Sequence, residues 1–400
     1  MKANVIRDLL RGLFRREDAR TRSSALAIAC VIAWCACACG APPKPAAKQP
    51  PRDAAIRTPP APADPSSWHV EQLAAGVYAW LGPPGVTPIV SGNSVFVIGD
   101  DGVLVVDTGQ FPSIARAELA AIRALTDQPV RFVVTTHWHP DHWMGNRAFA
   151  DAFPGAAFIA TPNTCALAKT KAAPFIVPKY ARDTAARVRP MLAAGKGPSG
   201  KELTAIQRAY YTLGVAQLDE YGGELATTQP LPPSTTFEDA LTIHLGAREV
   251  DVRFLGRGNT GGDAVVWIPD VKVLAAGDLI VSPYPYGIGS FIGEWIDTLG
   301  RVEALGATTI VPGHGPIEHD LGYVHTLEEL LRSLRSQTKD AVAKGLSLED
   351  ARAFVKLDGF ADRLCGDNPW CRFGFAGELV QPAVARAYRE AKEGPLHDED

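Results

Sequence analysis

The chain has 400 residues, of which 46% are hydrophobic and 21% are charged, a composition typical of a globular protein. Its 40 basic residues nearly balance its 44 acidic residues and leave a net charge of −4. Proteins that bind nucleic acid carry a basic surface, so this balance predicts no nucleic-acid partner.

The first 39 residues resemble a bacterial secretory signal. Basic residues precede an uncharged segment, 25–39, which is short for a membrane span and ends in small residues. Ala36-Cys37-Ala38-Cys39-Gly40 resembles a lipobox, with Cys39 as the lipidated residue and Cys37 or Cys30 as substitutes. We therefore expect an exported protein, either a membrane-anchored lipoprotein or a periplasmic protein that is cleaved without lipidation.

Three regions are predicted after the signal. Residues 40–67 are rich in proline and alanine, which cannot bury a core, and should form an extended tether. A folded domain should span 68–345, and a C-terminal extension 346–400. In the oxidising compartment that export implies, Cys365 and Cys371 of the extension should form a disulfide; two free thiols are the alternative.

The predicted elements of the domain alternate between strands and helices. Apolar runs predict early strands over 77–81, 86–98, 103–107 and 130–135, with a helix over 114–125. Residues 163–235 lose strand character and predict a helical insertion over the mouth of the site; a solvated helical pair without a binding role is the alternative. Later strands are predicted over 241–245, 249–254, 265–268 and 271–276, and helices over 295–305 and 327–343.

Metal-capable side chains are concentrated directly after the strand over 130–135. The run His137-Trp138-His139-Pro140-Asp141-His142 places three imidazoles and one carboxylate within six residues. Zinc binds imidazole nitrogen and carboxylate oxygen, and two such ions can share one loop. This run predicts a zinc site at the end of that strand.

The pattern His-x-His-x-Asp-His after a buried strand resembles the metallo-β-lactamase superfamily of zinc hydrolases. Further motifs follow in the order of that family, each at a predicted strand end: Asp107-Thr108-Gly109, Gly277-Asp278 and Pro312-Gly313-His314-Gly315. The resemblance covers residues 76–315. It implies an α/β fold, an αββα sandwich with the metals at one edge, here with the helical insertion and a C-terminal helical extension.

The resemblance also implies two metal sites. The first would contain two histidines, the second would contain an aspartate and two histidines, and a further aspartate would bridge them. The implied ligands are His137 and His139 for the first site, Asp141, His142 and His314 for the second, and Asp278 as the bridge.

Asn259 departs from the family pattern. It stands in Gly256-Arg257-Gly258-Asn259-Thr260-Gly261-Gly262-Asp263, where the family usually has a third histidine for the first site. A neutral amide oxygen is a weaker zinc ligand than imidazole, so we predict that Asn259 is a weak ligand or none. The protein should hold one or two zinc ions, more tightly at the second site.

Other side chains are assigned supporting roles. Asp141 and Asp278 are the predicted catalytic residues, with Asp141 orienting a water molecule or passing a proton. Asp107 and Asp263 are predicted to support the ligands from outside, although each could simply stabilise a turn. Predicted substrate contacts come from a Gly/Pro-rich loop and a nearby arginine: Tyr284, Tyr286, Phe291 and Arg257.

We therefore predict an exported zinc-dependent hydrolase that uses metal-bound hydroxide on a small-molecule ester, lactone, thioester or amide, with a β-lactam as one candidate. One rival is a metal-binding scaffold of the same fold with weakened turnover, which Asn259 favours. Another is an iron-dependent redox member of the family.

Overall fold

The computed structural model of the protein describes residues 64–85, 87–397 and 399. The predicted signal segment and most of the predicted tether lie outside the described residues. Among the residues that are described, no helix combines the length and the apolar character needed to cross a bilayer.

Two β-sheets form the centre of the fold. Over the described residues, one sheet has seven strands in chain order and the other has five strands in the order β12-β11-β10-β9-β8. The first sheet comprises β1 (His69–Ala74), β2 (Val77–Leu81), β3 (Ser94–Ile98), β4 (Val103–Val106), β5 (Val130–Val134), β6 (Ala157–Ala160) and β7 (Thr235–Thr236). The second comprises β8 (Ala240–Leu245), β9 (Arg248–Phe254), β10 (Ala264–Ile268), β11 (Val273–Val281) and β12 (Thr309–His314).

Helices cover the outer face of each sheet. On the first sheet lie α1 (Pro112–Leu125), α2 (Asn146–Ala152), α3 (Pro162–Thr170), α4 (Pro178–Ala194) and α5 (Ala205–Leu225). On the second lie α6 (Ile292–Glu303), α7 (Gly322–Ala343), α8 (Leu348–Phe354), α9 (Asp358–Cys365), α10 (Pro369–Gly374), a π-helix (Phe375–Val380) and α11 (Gln381–Glu393).

Three apolar layers hold these elements together. The middle layer joins the facing sides of the two sheets, with Val97 and Leu104 from one and Val252 and Val266 from the other, all with no exposed surface. The outer layers pack each sheet against its helices. Each sheet buries both faces, which explains the nearly continuous apolar runs of β4 and β11. The predicted αββα sandwich is confirmed.

Strand direction brings the chemically important loops to one edge. β4 and β5 are parallel in the first sheet, and β11 and β12 are parallel in the second. Parallel neighbours end at the same edge of a sheet. Asp107 directly follows β4, His137 lies three residues beyond β5, and His314 ends β12.

The strand predicted over 86–98 is shorter in the structure, where β3 begins only at Ser94. Among residues 87–93, Pro88 has no N–H for a strand ladder. The backbone there bonds to the site instead: Gly92 N donates to Asp141 O at 3.0 Å and Asn93 N donates to Gly313 O at 2.7 Å. The prediction was wrong here because a strand propensity was overruled by these long-range bonds.

The insertion and the extension are both helical. Segment 163–235 contains most of α3 and all of α4 and α5, and α5 begins with a capping box between Thr204 and Gln207. Gln217 of α5 accepts a hydrogen bond from Ile89 N at 3.0 Å, which ties the insertion to the loop before β3. In the extension, the predicted disulfide between Cys365 and Cys371 is present.

Glu118 should make the stability of the fold depend on pH. It lies on α1 with 1% of its surface exposed, accepts a hydrogen bond from Ser94 Oγ, and has its pKa raised by burial from 4.5 to about 8. The folded protein therefore keeps a proton that the unfolded chain releases, so the free energy of unfolding should fall as pH rises from about 5 to about 8.

The variant Glu118→Gln keeps the shape and removes this titration. Chemical denaturation at several pH values should show the wild type losing stability relative to E118Q as pH rises across that window. The exposed Glu71 supplies the control Glu71→Gln, which should follow the wild type. Parallel curves for wild type and E118Q would contradict the assignment.

Candidate metal centre

The predicted ligands meet at the edge where β5, β11 and β12 end. His137 and His139 lie on the extended segment after β5, and Pro140–His142 forms a single 3₁₀ turn that reverses the chain. This turn separates the first two histidines from Asp141 and His142. Side chains close in sequence can therefore serve two neighbouring sites.

The first cluster consists of His137, His139 and Asp278. His137 Nε2 lies 2.9 Å from His139 Nδ1 and 3.6 Å from Asp278 Oδ2. His137 is fully buried, and its Nδ1 lies 3.1 Å from Thr136 Oγ1, which fixes the ring. The donor atoms of these three residues lie within 4.8 Å of one another, close enough to hold one ion.

The second cluster consists of Asp141, His142 and His314. His142 Nε2 lies 3.2 Å from His314 Nε2, and Asp141 Oδ2 lies 3.4 Å from the former and 3.0 Å from the latter. These donor atoms also lie within 4.8 Å of one another. Each cluster thus brings together the donors that the sequence assigned to one site.

Asp278 lies between the clusters. Its Oδ2 faces His137, whereas its Oδ1 lies 3.3 Å from His142 Nε2 and 3.5 Å from His314 Nε2. The sequence placed Asp278 at a strand end, but β11 continues to Val281.

Two glycines allow the Asp278 carboxylate to reach this position inside a strand. Gly277 has φ +51°, and the pairing of β11 with β12 shifts register there, so the strand re-aims the next side chain. A Cβ atom on Gly313 would lie 2.0 Å from Asp278 Oδ1. A larger residue at 313 would therefore displace the carboxylate.

Asp107 fixes His142 from behind. Its Oδ1 accepts from Thr136 N at 2.8 Å, and its Oδ2 accepts from Thr136 Oγ1 at 2.8 Å and lies 2.7 Å from His142 Nδ1. Asp107 has φ +59°, a left-handed conformation that aspartate tolerates better than most residues. When His142 Nδ1–H donates to Asp107, His142 Nε2 is left with a lone pair for a metal ion.

The two clusters differ in their proton affinity. Burial lowers the pKa of His139 to about 4 and lowers that of His137 well below its ordinary value. Burial also opposes the charged form of His142, but Asp141 and Asp278 more than offset it and raise the pKa of His142. The same two aspartates raise the pKa of His314 against the effect of burial. The same two aspartates also favour the charged forms of His137 and His139, but burial outweighs them there.

The donor set fits a zinc ion. Four imidazoles and two carboxylates converge in a buried place, and these are the nitrogen and oxygen ligands that zinc takes. Asn259 is fully buried in the loop between β9 and β10, and neither its Oδ1 nor its Nδ2 has a hydrogen-bond partner among the described residues. A buried amide without partners is costly, and a bound ion or ligand would offset that cost.

Asp263 braces the loop that carries Asn259. Its Oδ2 accepts from Thr260 N at 2.8 Å and its Oδ1 accepts from Thr260 Oγ1 at 2.6 Å. Burial raises the pKa of Asp263 well above its ordinary value despite these bonds. Ala264 N donates to Thr136 O at 2.8 Å, which fastens the end of the loop beside His137.

The four predicted substrate contacts differ in how accessible they are. Tyr286 is partly exposed, and its ring centroid lies 5.8 Å from that of His139. Tyr284 and Phe291 are only 5% and 3% exposed, so neither presents an open pocket wall. Arg257 is paired with Glu294 through two hydrogen bonds and lies 4.2 Å from the Phe291 ring centroid. A structural ion pair, rather than a substrate carboxylate, therefore accounts for Arg257.

Two residues that shape the site carried no signal in the sequence. A Cβ atom on Gly92 would lie 2.6 Å from His142 Cε1, so only glycine fits there. Glu378 of the π-helix accepts hydrogen bonds from Tyr210 Oη and Tyr284 Oη, both at 2.9 Å, and its backbone oxygen accepts from Gly287 N at 2.9 Å. Glu378 thereby joins the insertion and the extension to the loop that carries Tyr286.

Replacing Asp107 by asparagine should weaken metal binding. Asparagine keeps the shape and tolerates positive φ, but its carboxamide can turn a donor toward His142 Nδ1 and disturb the tautomer. We expect D107N to lower zinc affinity by about 10- to 100-fold in a competition titration against a chromogenic chelator. The control Asp101→Asn alters an exposed partner of Arg131 and should bind as the wild type does. Equal affinities for all three proteins would contradict this role.

The chain is similar in sequence to several characterised proteins. The chain is 26% identical over 318 residues to the linear primary-alkylsulfatase of Pseudomonas sp. (strain ATCC 19151), a match that covers 72% of this chain and 53% of that protein. It is 29% identical over 123 residues to metallo-beta-lactamase type 2 of Bacteroides fragilis, covering 29% and 49% respectively. The chain thus spans about half the length of these relatives.

A solved metallo-beta-lactamase from Pontibacter korlensis aligns with a TM-score of 0.47 and 20% identity, over 66% of this chain and 99% of that one. Residues 87–314 match the family model described as the metallo-beta-lactamase superfamily. That match spans more than half of the chain and contains every predicted metal ligand. The chain belongs to the metallo-beta-lactamase superfamily.

Proposed function

We propose that the protein is a zinc-dependent hydrolase acting on an ester-type bond of a small molecule. The observation that carries this proposal is the position of Asp278, whose two carboxylate oxygens face different histidine clusters, at 3.6 Å from His137 Nε2 and 3.3 Å from His142 Nε2. A carboxylate in this position can contribute to a site in either cluster, so it would serve a hydrolytic centre with one ion or with two.

His137, His139 and Asp278 would hold one ion, and Asp141, His142 and His314 would hold the other. Bound zinc would polarise the scissile group and make a water molecule acidic enough to serve as nucleophile near neutral pH.

The protein's own groups supply position and proton transfer. Asp107 holds the His142 ring in place, and Asp263 holds the Asn259 loop. Asp141 is partly exposed, with Oδ2 3.0 Å from His314 Nε2, and can carry a proton between the site and the leaving group.

Among ester-type substrates, a primary alkyl sulfate is the first candidate. The relative named as an alkylsulfatase matches 72% of this chain, whereas the Bacteroides beta-lactamase matches 29%. The longer match therefore extends well beyond the ligand motifs. A β-lactam is the second candidate, supported by the beta-lactamase relatives.

The test compares zinc-loaded protein on a primary alkyl sulfate, a chromogenic cephalosporin and a thioester. We expect turnover of at least one of them, abolished by a chelator and restored by zinc. Asp278→Asn should reduce that turnover by about 100-fold or more, because it removes the shared charge. The matched control Asp270→Asn changes an exposed aspartate of the β10–β11 turn and should leave turnover unchanged. Bound zinc without turnover of any of the three would favour the scaffold alternative instead.

We also propose that the two zinc sites are unequal, because Asn259 supplies an amide where the family usually has histidine. Elemental analysis after dialysis against a weak chelator should find about one zinc ion per chain in the wild type. Asn259→His should raise this to about two, whereas Asn259→Ala should stay at one. Two equally tight ions in the wild type would refute the proposal.

We further propose that the protein acts outside the cytoplasm. The disulfide between Cys365 and Cys371 supports an oxidising compartment, and the composition of residues 1–39 supports export. Recovery of the native protein in the cytoplasmic fraction of its host would refute this location.

A further inference from the structure

The end of the described chain returns to the metal centre. After α11, Leu396 is buried and Glu399 is only 8% exposed. Glu399 Oε2 accepts a hydrogen bond from Trp138 Nε1 at 2.5 Å, and its Oε1 accepts one from Gly261 N at 2.6 Å. A carboxylate is thus bound by two N–H donors that lie far from it in sequence.

These contacts touch the loops that carry the predicted site. Trp138 lies between His137 and His139 in the chain, and its ring centroid is 4.5 Å from that of His139. Gly261 lies two residues after Asn259 in the next loop. Glu399 O is 3.0 Å from the position of a Cβ atom on Gly289, in the loop that carries Tyr286. Glu399 therefore lies beside the ligand cluster, bonded to two of its loops and close to a third.

Hydrogen-bond donors and cations surround the Glu399 carboxylate. Burial raises the pKa of Glu399 overall, and the Gly261 N–H, Lys171, Trp138 and Arg386, which favour the charged form, offset that effect only in part. Lys171 Nζ also lies 5.5 Å from the Trp138 ring centroid. The backbone approaches closely, since a Cβ atom on Gly261 would lie 3.0 Å from Glu399 Oε1.

We propose that Trp138 Nε1–H and Gly261 N–H form an anion subsite beside the metal centre, which Glu399 occupies as an internal ligand. The negatively charged group of a substrate, a carboxylate or a sulfate, takes the place of Glu399. This inference rests on the proposed hydrolase function, since the anion belongs to the molecule that is cleaved.

Competition between Glu399 and an external anion should weaken the binding of that anion. The apparent affinity for an external anion equals the intrinsic affinity multiplied by the fraction of molecules in which Glu399 has left the subsite. If that fraction is about one tenth, removal of the carboxylate tightens anion binding by about tenfold.

The experiment uses the zinc-loaded full chain with nitrogen-15 labelling. The indole N–H signal of Trp138, assigned with Trp138→Phe, is followed while sodium sulfate or sodium acetate replaces sodium chloride at constant ionic strength. Wild type is compared with Glu399→Ala. The control Glu393→Ala removes an exposed carboxylate of α11 that pairs with Arg389.

We expect the Trp138 signal of E399A to shift saturably, with an affinity about tenfold or more tighter than in wild type and E393A. A gain for sulfate alone assigns the subsite to sulfate, and a gain for acetate alone assigns it to carboxylate. Equal affinity in the three proteins, or no shift of this signal, would overturn the proposal. Should E399A unfold in a thermal melt, Glu399→Gln removes the charge while keeping the shape.

The anion could instead bind the metal, so the titration is repeated after zinc removal. Persistence of the shift supports the subsite, and its loss would overturn it. Hydrolysis is measured in a separate assay. Tighter anion binding by E399A without turnover of any substrate would contradict the hydrolase function but not the subsite. Turnover with equal anion binding in E399A and wild type would contradict the subsite but not the hydrolase function.

Discussion

The burial of charged groups at one edge of the sandwich is the constraint on which the site depends. Four imidazoles and three carboxylates lie there. His137, His142, Asp107 and Asp278 are buried, whereas His139, Asp141 and His314 are partly exposed. Each unpaired buried charge would cost several kcal/mol. The protein offsets this cost by pairing: Asp107 bonds to Thr136 and faces His142, and Asp278 faces both clusters. A bound cation would complete the balance, because it would offset the negative charge of the carboxylates.

The pairing of these charged groups constrains the conformation of the surrounding backbone. Close approach of polar side chains to the main chain requires glycine at three positions. A Cβ atom on Gly92, Gly277 or Gly313 would meet His142, Thr136 or Asp278 respectively. The backbone N–H groups of the loop before β3 donate hydrogen bonds to the carbonyl oxygens of Asp141 and Gly313 rather than to a neighbouring strand. Local backbone preferences therefore yield to the electrostatic requirement at this edge, as is common at functional sites.

The features that could be predicted from the sequence are those marked by a local residue pattern. The run from His137 to His142 is short and consists of residue types that bind metals. The two clusters and the sandwich could therefore be predicted from the sequence. The structure brings Asp278 beside the other predicted ligands. Its predicted place at a strand end was wrong, since the register shift at Gly277 depends on pairing with β12. Glu378 and Glu399 escaped prediction because their partners lie more than ninety residues away and no local pattern marks them.

The insertion and the extension are connected to the loop after β11, which carries Tyr286. Glu378 connects Tyr210 of the insertion with Tyr284 and Gly287 of the loop after β11, so a change in either added region reaches the neighbourhood of Tyr286. The family model ends at residue 314, and the whole extension lies beyond it. Because the metal ligands supply chemistry that many substrates could use, we expect selectivity to reside in these added regions. Substrate preference can then change through the insertion and the extension while the buried charges stay in place.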